Sequence, residues 1–471
     1  MLTQRIRLCM FADDVVLLAQ SLEDAQGMCD AADAYSRKWR LWFNTKRGKS
    51  EVCVFTPGRR RAAFAPDRTL TLGTRELLFT SEYKYLGMAT SARDLVAPHV
   101  RMRAHNYRRA VNYRVVRHGH THHTPLPVSI RALMSRLYCS TGLEYALGVW
   151  GPCVPAGKLR ELEKLQTDAA RKVLWAGRLP TSAAVRSELG WIPMRRRIQE
   201  MQLRFYARIR RMAPTRLPRM VFEARVRQEQ WVQLRPTEWI RQLHTASEEL
   251  GVPLDHETVT LRPRNPRGGD AWHSLVAQAC HSRAVQDFED AVETSPSTVA
   301  LATFSHTIEL RPYLSGSARP DMRPTRAQLQ LRMGCATLRG AGNRHARPPV
   351  VNPDALPGLQ RCCSACYRQT GHVVRESELH VVTDCVAYNR ERDAIRAAAE
   401  AIHVPWSGET LGRMVFGDLS GRRLLVENEI NPRDVSTVDV IRGINQLLVR
   451  ITSKVVRDSE DRWRREVLRD F

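Results

Sequence analysis

Two sets of side chains in this chain have the types and spacing to hold metal ions. Asp13 and Asp14 stand side by side between an apolar run ending at Phe11 and another beginning at Val15. Adjacent carboxylates at a tight turn can bind a hard cation such as Mg²⁺, which takes oxygen ligands and leaves room for substrate phosphates. A polar hairpin turn without any ligand fits the same residues, because Asp is well tolerated in turns. Near the other end of the chain, Cys363 and Cys366 are followed by His380 and Cys385. Three thiolates and an imidazole at C-x₂-C…H-x₄-C spacing suit tetrahedral Zn²⁺. With all four positions filled by protein, that zinc is structural and has no open place for water. Cys362 can stand in for Cys363 and His372 for His380, and reduced core cysteines are the alternative to zinc altogether.

These residues need elements to hold them. Strands over residues 7–11 and 15–19 would pair across the Asp13-Asp14 turn. Residues 22–42 carry Ala25, Met28, Cys29, Ala32, Tyr35 and Trp39 at helical spacing, which places Met28 and Trp39 in a core. From about residue 93 the pattern turns helical. Leu159, Leu162, Leu165, Ala169 and Val173 recur at three- and four-residue steps between Pro155 and Gly177, the usual punctuation of a helix. Arg160, Lys164, Arg171 and Lys172 fall on other faces of that helix, either as a solvated surface or as the lining of a duplex groove. Further helices are expected over residues 239–250 and 271–292, separated by the Arg- and Pro-rich stretch 261–269. Two more, over residues 435–456 and 458–468, are expected to cap the cysteine-rich element.

The order of three short motifs points to a family. Phe11-Ala12-Asp13-Asp14 is followed by Phe43-Asn44 and Lys49-Ser50-Glu51-Val52 leading to Phe55, and then by Tyr83-Lys84-Tyr85-Leu86-Gly87. At these distances the set resembles the reverse transcriptase of non-LTR (LINE-type) retrotransposons. The resemblance implies that Asp13 and Asp14 are palm aspartates that bind Mg²⁺. It implies that Lys49 approaches the leaving pyrophosphate, where the residue alone reads equally as a solvated strand-edge lysine. Tyr85, Leu86 and Gly87 would form the primer grip. Leu143 to Trp150, the 165–174 stretch and Glu188-Leu189-Gly190-Trp191-Ile192-Pro193 are similar to the family's thumb. Cys363, Cys366, His380 and Cys385, with the trailing Tyr388 and Arg392, are similar to the element that ends such polyproteins.

The expected fold is therefore α+β. It comprises a partial palm over residues 1–92, a helical basic thumb over 93–213, a helical connector over 214–320, a zinc-knuckle-like region over 321–400 and a helical tail over 401–471. The resemblance implies an RNA-directed DNA polymerase whose partners are an RNA template, an RNA/DNA duplex and target DNA. In that family a further catalytic carboxylate and the fingers precede the Asp-Asp hairpin. Only ten residues precede Phe11 here, so the chain is expected to be an N-terminally truncated fragment, inactive alone. The missing upstream part of the polyprotein would be another partner. The alternatives are an inactive remnant that still binds nucleic acid, or the product of a decayed element.

Composition agrees with a polyanion partner. The net charge is +24 and the pI about 10.2, and eight of the 73 basic residues are lysine, leaving 65 arginines. Arginine forks grip phosphate bidentately and stack on bases, although a GC-rich genome produces the same bias. Arg5 and Arg7 precede too few apolar residues for a signal peptide, and no stretch approaches the length of a membrane span. Eleven mostly scattered cysteines suit a reducing compartment, nuclear or cytoplasmic, rather than secretion. Arg59 to Arg61 and Arg195 to Arg197 read as solvated or phosphate-facing clusters. His118, His120, His122 and His123 lie in a loop-like surrounding. Gly48-Lys49-Ser50 ends like a phosphate-binding loop, but Phe43 stands where that motif needs glycine.

Overall fold

In the computed structural model, described residues are 6–55, 69–91, 94, 96–117, 120–121, 124–177, 180–232, 237–255, 259, 270–295, 298–315, 323–333, 363–417, 424, 427–428 and 435–467. The architecture is α+β and mostly helical, with the small sheets among the described residues all before residue 126. Arg59 to Arg61, the 261–269 stretch, His118, His122, His123 and Cys362 lie outside the described residues.

The N-terminal part begins with the expected hairpin. Strands β1 (Leu8–Phe11) and β2 (Asp14–Leu17) pair antiparallel with Phe11 opposite Asp14, so the turn is Ala12-Asp13. Ala12 takes a φ of 53°, the left-handed conformation that such two-residue turns demand. Helix α1 (Leu22–Trp39) is capped by the Ser21 side chain, which accepts from the Asp24 N–H, and ends where Arg40 turns left-handed. It is three residues shorter than the apolar spacing suggested. Trp39 is 58% exposed and so is not a core residue, while Cys29 on the same helix is buried. Strand β3 (Glu51–Cys53) pairs parallel with β5 (Arg75–Thr80), which pairs antiparallel with β4 (Leu70–Leu72). A second hairpin follows, β6 (Glu82–Tyr85) with β7 (Met88–Ser91), and its tip is Leu86-Gly87. Both tip residues have positive φ, 45° and 79°, which suits Gly87 and strains Leu86.

The helical body starts at α2 (Ala97–Ala110), which widens without a break into a π-helical turn over Val111–Arg117. Helix α3 (Val128–Met134) does the same over Ser135–Ser140. The short strands β8 (His120–Thr121) and β9 (Thr124–Pro125) pair between them, where a loop was expected. A brief α4 (Thr141–Leu143) leads to α5 (Leu147–Trp150). Helix α6 (Ala156–Leu174) buries Leu162, Leu165, Ala169 and Val173, the stripe that its periodicity foretold. Its left-handed cap is Trp175 rather than Gly177, held because the indole stacks on the fully buried Arg131 guanidinium at 3.4 Å. Helices α7 (Ser182–Glu188) and α8 (Met194–Arg210) complete a core with Val100, Tyr107, Leu147 and Trp150. A second core joins α8 to α9 (Leu217–Val232), α10 (Glu238–Leu250) and α11 (Ala271–Glu293).

Beyond α12 (Val299–Phe304) and α13 (Pro312–Ser315), helix α14 (Arg323–Arg332) bridges the body to the C-terminal region. At this bridge Glu188 is fully buried. It accepts from Arg332 Nε at 2.8 Å on one carboxylate oxygen and from the Tyr313 hydroxyl at 2.6 Å on the other. Arg332 also donates to the carbonyls of Val415 and Gly417. The C-terminal region consists of α15 (Ser364–Thr370), α16 (Glu378–Thr383), α17 (Asn389–Glu400), α18 (Gly408–Val415) and α19 (Val435–Val467). Helix α19 is one continuous element where two were expected. Ile444, Leu448, Ile451 and Val455 along it close the same core as Cys363, Cys366 and Cys385. No helix among the described residues is long and apolar enough to cross a membrane.

Candidate metal centre and nucleic-acid surface

The four sulfur and imidazole residues converge because two short helices present them head-on. Cys363 is the N-cap of α15 and Cys366 lies in its first turn. The Cys363 N–H donates to the Val374 carbonyl at 2.8 Å, which folds the following loop back onto the helix start. The Ser377 hydroxyl accepts from the His380 N–H and so caps α16, and Cys385 follows that helix with its N–H on the His380 carbonyl. All four side chains are buried, and their ligand atoms lie within 4.8 Å of one another. Cys363 Sγ is 3.5 Å and Cys366 Sγ 4.0 Å from Cys385 Sγ, and Cys366 Sγ is 3.4 Å from His380 Nε2. Around a tetrahedral zinc, bond lengths of about 2.3 Å to sulfur and 2.0–2.1 Å to nitrogen give edges of about 3.6–3.8 Å. The donor set therefore fits Zn²⁺ in type, number and size. His372 is exposed and takes no part.

The electrostatics favour the thiolate at Cys363. The hydrogen bond with Cys385, ahead of the contact with His380, holds the Cys363 thiol below the usual thiol range and pushes Cys385 up. Burial raises Cys366. Tyr388 and Arg392 are buried behind the centre. The Arg392 guanidinium donates to the carbonyls of Cys385 and Val382, which fixes the backbone carrying the last ligand. Hydrogen bonds made behind a metal's ligands hold those ligands in orientation.

The Asp13-Asp14 turn is built differently. Asp13 and Asp14 are both exposed at the hairpin tip. Among the described residues, no third Asp, Glu, His or Cys joins them in a metal-sized group, so the structure gives the expected Mg²⁺ no site of its own. Lys49 is exposed just before β3, and its carbonyl accepts from the Tyr83 hydroxyl at 2.5 Å. Burial, then the charges of Asp14 and Glu51, raise the Tyr83 phenol, and β3 and β6 are in contact here. Tyr85 ends β6, and Leu86 and Gly87 form the tip beyond it. The helical body grips that tip: Tyr145 Oη donates to the Leu86 carbonyl at 2.7 Å and Arg103 donates to the Gly87 carbonyl at 2.8 Å. Arg103 also lies over the Tyr145 ring at 4.6 Å. The Ala89 N–H donates to Nδ1 of the buried His99 at 3.2 Å.

No protein-family model, curated protein or solved structure matches this chain.

The basic residues expected to face nucleic acid divide into two groups. Arg160 and Lys164 are exposed one turn apart on α6 and carry no ion pair among the described residues. Arg171 is turned inward, donating to Asp168 at 3.4 Å and to the Pro180 carbonyl at 3.1 Å, and Lys172 donates to Asn112 at 2.6 Å. The Arg195 to Arg197 cluster is not a solvated patch either. Arg195 pairs with Glu249, the buried Arg196 holds Asp287 and Glu249, and Arg197 holds Glu144 and Glu200. Burial alone would lower the Arg197 guanidinium, but its hydrogen bond and charge contact with Glu144 reverse the shift upward. Three consecutive arginines cannot share one face of a helix. Apart from Glu200, three residues from Arg197, their acidic partners stand 53 to 91 residues away, so only tertiary contact distinguishes them from a phosphate-binding run. Arg103 and Tyr145 were missed for the same reason.

Proposed function

We propose that this chain is the C-terminal part of a non-LTR-type RNA-directed DNA polymerase, and that alone it binds nucleic acid without copying it. One observation carries the reading. The three ordered palm motifs fall on a hairpin with Asp13 in its turn, an irregular stretch after α1 that turns into β3, and a second hairpin. The second hairpin's Leu86-Gly87 tip is fastened to the helical body by Arg103 and Tyr145. A polymerase needs such a joint, because its sequence-independent grip on a duplex must hold the primer end still beside the metals.

The isolated Asp13-Asp14 pair favours binding over catalysis as the activity of this chain. Two-metal phosphoryl transfer uses several carboxylates about the two ions, and the described residues offer two. Mg²⁺ would need a further ligand from another polypeptide segment. Zn²⁺ bound by Cys363, Cys366, His380 and Cys385 would order the C-terminal region without taking part in chemistry, since protein fills all four positions. Thiolates of this kind require a reducing, intracellular compartment. RNA, RNA/DNA duplex and target DNA are the partners that the charge and the resemblance support.

Fluorescence anisotropy of the full chain with an RNA/DNA duplex tests binding. Affinity should fall steeply and log-linearly as salt rises. An affinity indifferent to salt sinks the nucleic-acid reading. Primer extension on an RNA template with Mg²⁺ should give no product, and incorporation abolished by Asp13→Ala would overturn the expected inactivity.

A further inference from the structure

Between α5, α8 and the start of α11 lies a cleft of about 670 Å³ that neither the palm turn nor the metal centre uses. This size falls within the range of ligand pockets. Its floor is apolar, with Val149, Met201 and Phe205, and its fixed geometry follows from close helix packing. Gly148 lets α5 approach α8 so tightly that an added Cβ would stand 2.4 Å from the Met201 carbonyl. The Trp239 indole N–H donates to the Gly148 carbonyl at 2.8 Å, and its ring meets Phe205 edge-on at 6.2 Å. One wall is cationic. Arg204, Arg208 and Arg211 occupy successive turns of α8 and its end, and all three line the cleft. Arg204 is held by Glu200 at 2.6 Å and Arg211 by Asp270. Arg208 is exposed and has no hydrogen bond or ion pair among the described residues.

An aromatic, apolar floor beside a row of arginine forks has two complementary requirements. The floor accepts a flat ring by stacking, worth about 1–3 kcal/mol per base in single-strand binding proteins. The forks accept phosphate oxygens in charge-assisted pairs. Two carboxylates already balance Arg204 and Arg211, so Arg208 is the wall arginine left uncompensated among the described residues. An acidic peptide would satisfy the arginines and leave the floor unfilled. We propose that this cleft binds a nucleoside phosphate, the base on the Phe205 floor and the phosphate on Arg208. Tyr145 lines the cleft and donates to the Leu86 carbonyl, so the bound group would lie beside the β6–β7 tip. The proposal depends on neither polymerase descent nor zinc.

Calorimetric titration of the full chain at physiological salt tests it with AMP, inorganic phosphate and a short 5′-phosphorylated oligothymidylate. Arg208→Glu should weaken AMP by about tenfold or more, the scale of one hydrogen bond to a charged group. Phe205→Leu, which keeps the apolar volume and removes the ring, should weaken AMP and leave phosphate unchanged. Arg396→Ala, exposed on α17, should leave AMP affinity within about twofold. Tighter binding of the oligothymidylate than of AMP assigns the site to a strand, and equal binding assigns it to a free nucleotide. The proposal fails if AMP does not bind, if Arg208→Glu binds it as well as the wild type, or if phosphate or polyglutamate competes as strongly as AMP.

Discussion

The Asp13-Asp14 turn and the cysteine-histidine centre both present metal-binding residue types, but the fold treats them in opposite ways. Cys363, Cys366, His380 and Cys385 are sunk in a core that α17, α18 and α19 close on several sides. Asp13 and Asp14 stand exposed on a two-stranded hairpin whose neighbours Met10 and Phe11 are each 67% exposed, and Trp42 beyond α1 is 91% exposed. A two-stranded hairpin is marginal in water without further packing. A centre whose ligands and supporting core all come from the described residues can form by itself. The Asp13-Asp14 hairpin, by contrast, leaves large apolar side chains exposed among the described residues.

Removing zinc should produce the largest effect in the molecule. Structural zinc sites contribute about 10 kcal/mol or more of apparent folding free energy. Chelation, or Cys385→Ser, should therefore unfold the C-terminal region while leaving the α2–α8 body folded. Metal analysis of freshly purified reduced protein should find one Zn²⁺ per chain, and limited proteolysis should cut within residues 363–417 only after chelation. Finding no zinc, with the region still resistant, would erase the contrast between the two sites.

Next in size is the joint between the body and that region. Glu188→Ala leaves the buried Arg332 guanidinium and Tyr313 hydroxyl without their carboxylate, a change worth about 3–5 kcal/mol. Denaturant unfolding should show that loss, with zinc still bound. Loss of zinc in this variant would mean that the centre depends on the body after all.

A smaller effect concerns the joint between the body and the β6–β7 hairpin. Burial, then the Arg103 charge, lowers His99 to about 4, so the fold keeps this imidazole neutral to accept from the Ala89 N–H. A depressed folded pKa means that the unfolded chain binds the proton first. The stability it represents is complete above the ordinary value of 6.5 and is lost as pH falls from there through about 4. Thermal melts between those pH values should fall less steeply in His99→Gln than in the wild type. Parallel slopes would show that the hairpin tip is held by Arg103 and Tyr145 alone. Smallest of all, Asp13→Ala and Asp14→Ala should move stability by less than about 0.5 kcal/mol, as exposed substitutions do. A greater change in the melting temperature would reveal a structural role at the turn that its exposure hides.

Sequence determined the local features of this protein. The Asp-Asp turn, the Leu86-Gly87 tip, the apolar stripe of α6 and the cysteine spacing all follow from interactions spanning a few residues, where periodicity and turn chemistry decide the outcome. Tertiary structure alone decided which charges are free. Arg196 and Arg160 are the same residue type on amphipathic helices, yet one is buried between Asp287 and Glu249 and the other is exposed. It also decided that Trp39 stays outside the core and that α19 runs unbroken. The choice of His380 over His372 was made there too, since it depends on which imidazole the α16 cap turns toward the thiolates. In each case the partner lies far along the chain or on another element, and the free energy of burying a charge, a ring or a ligand set belongs to both sides of the contact.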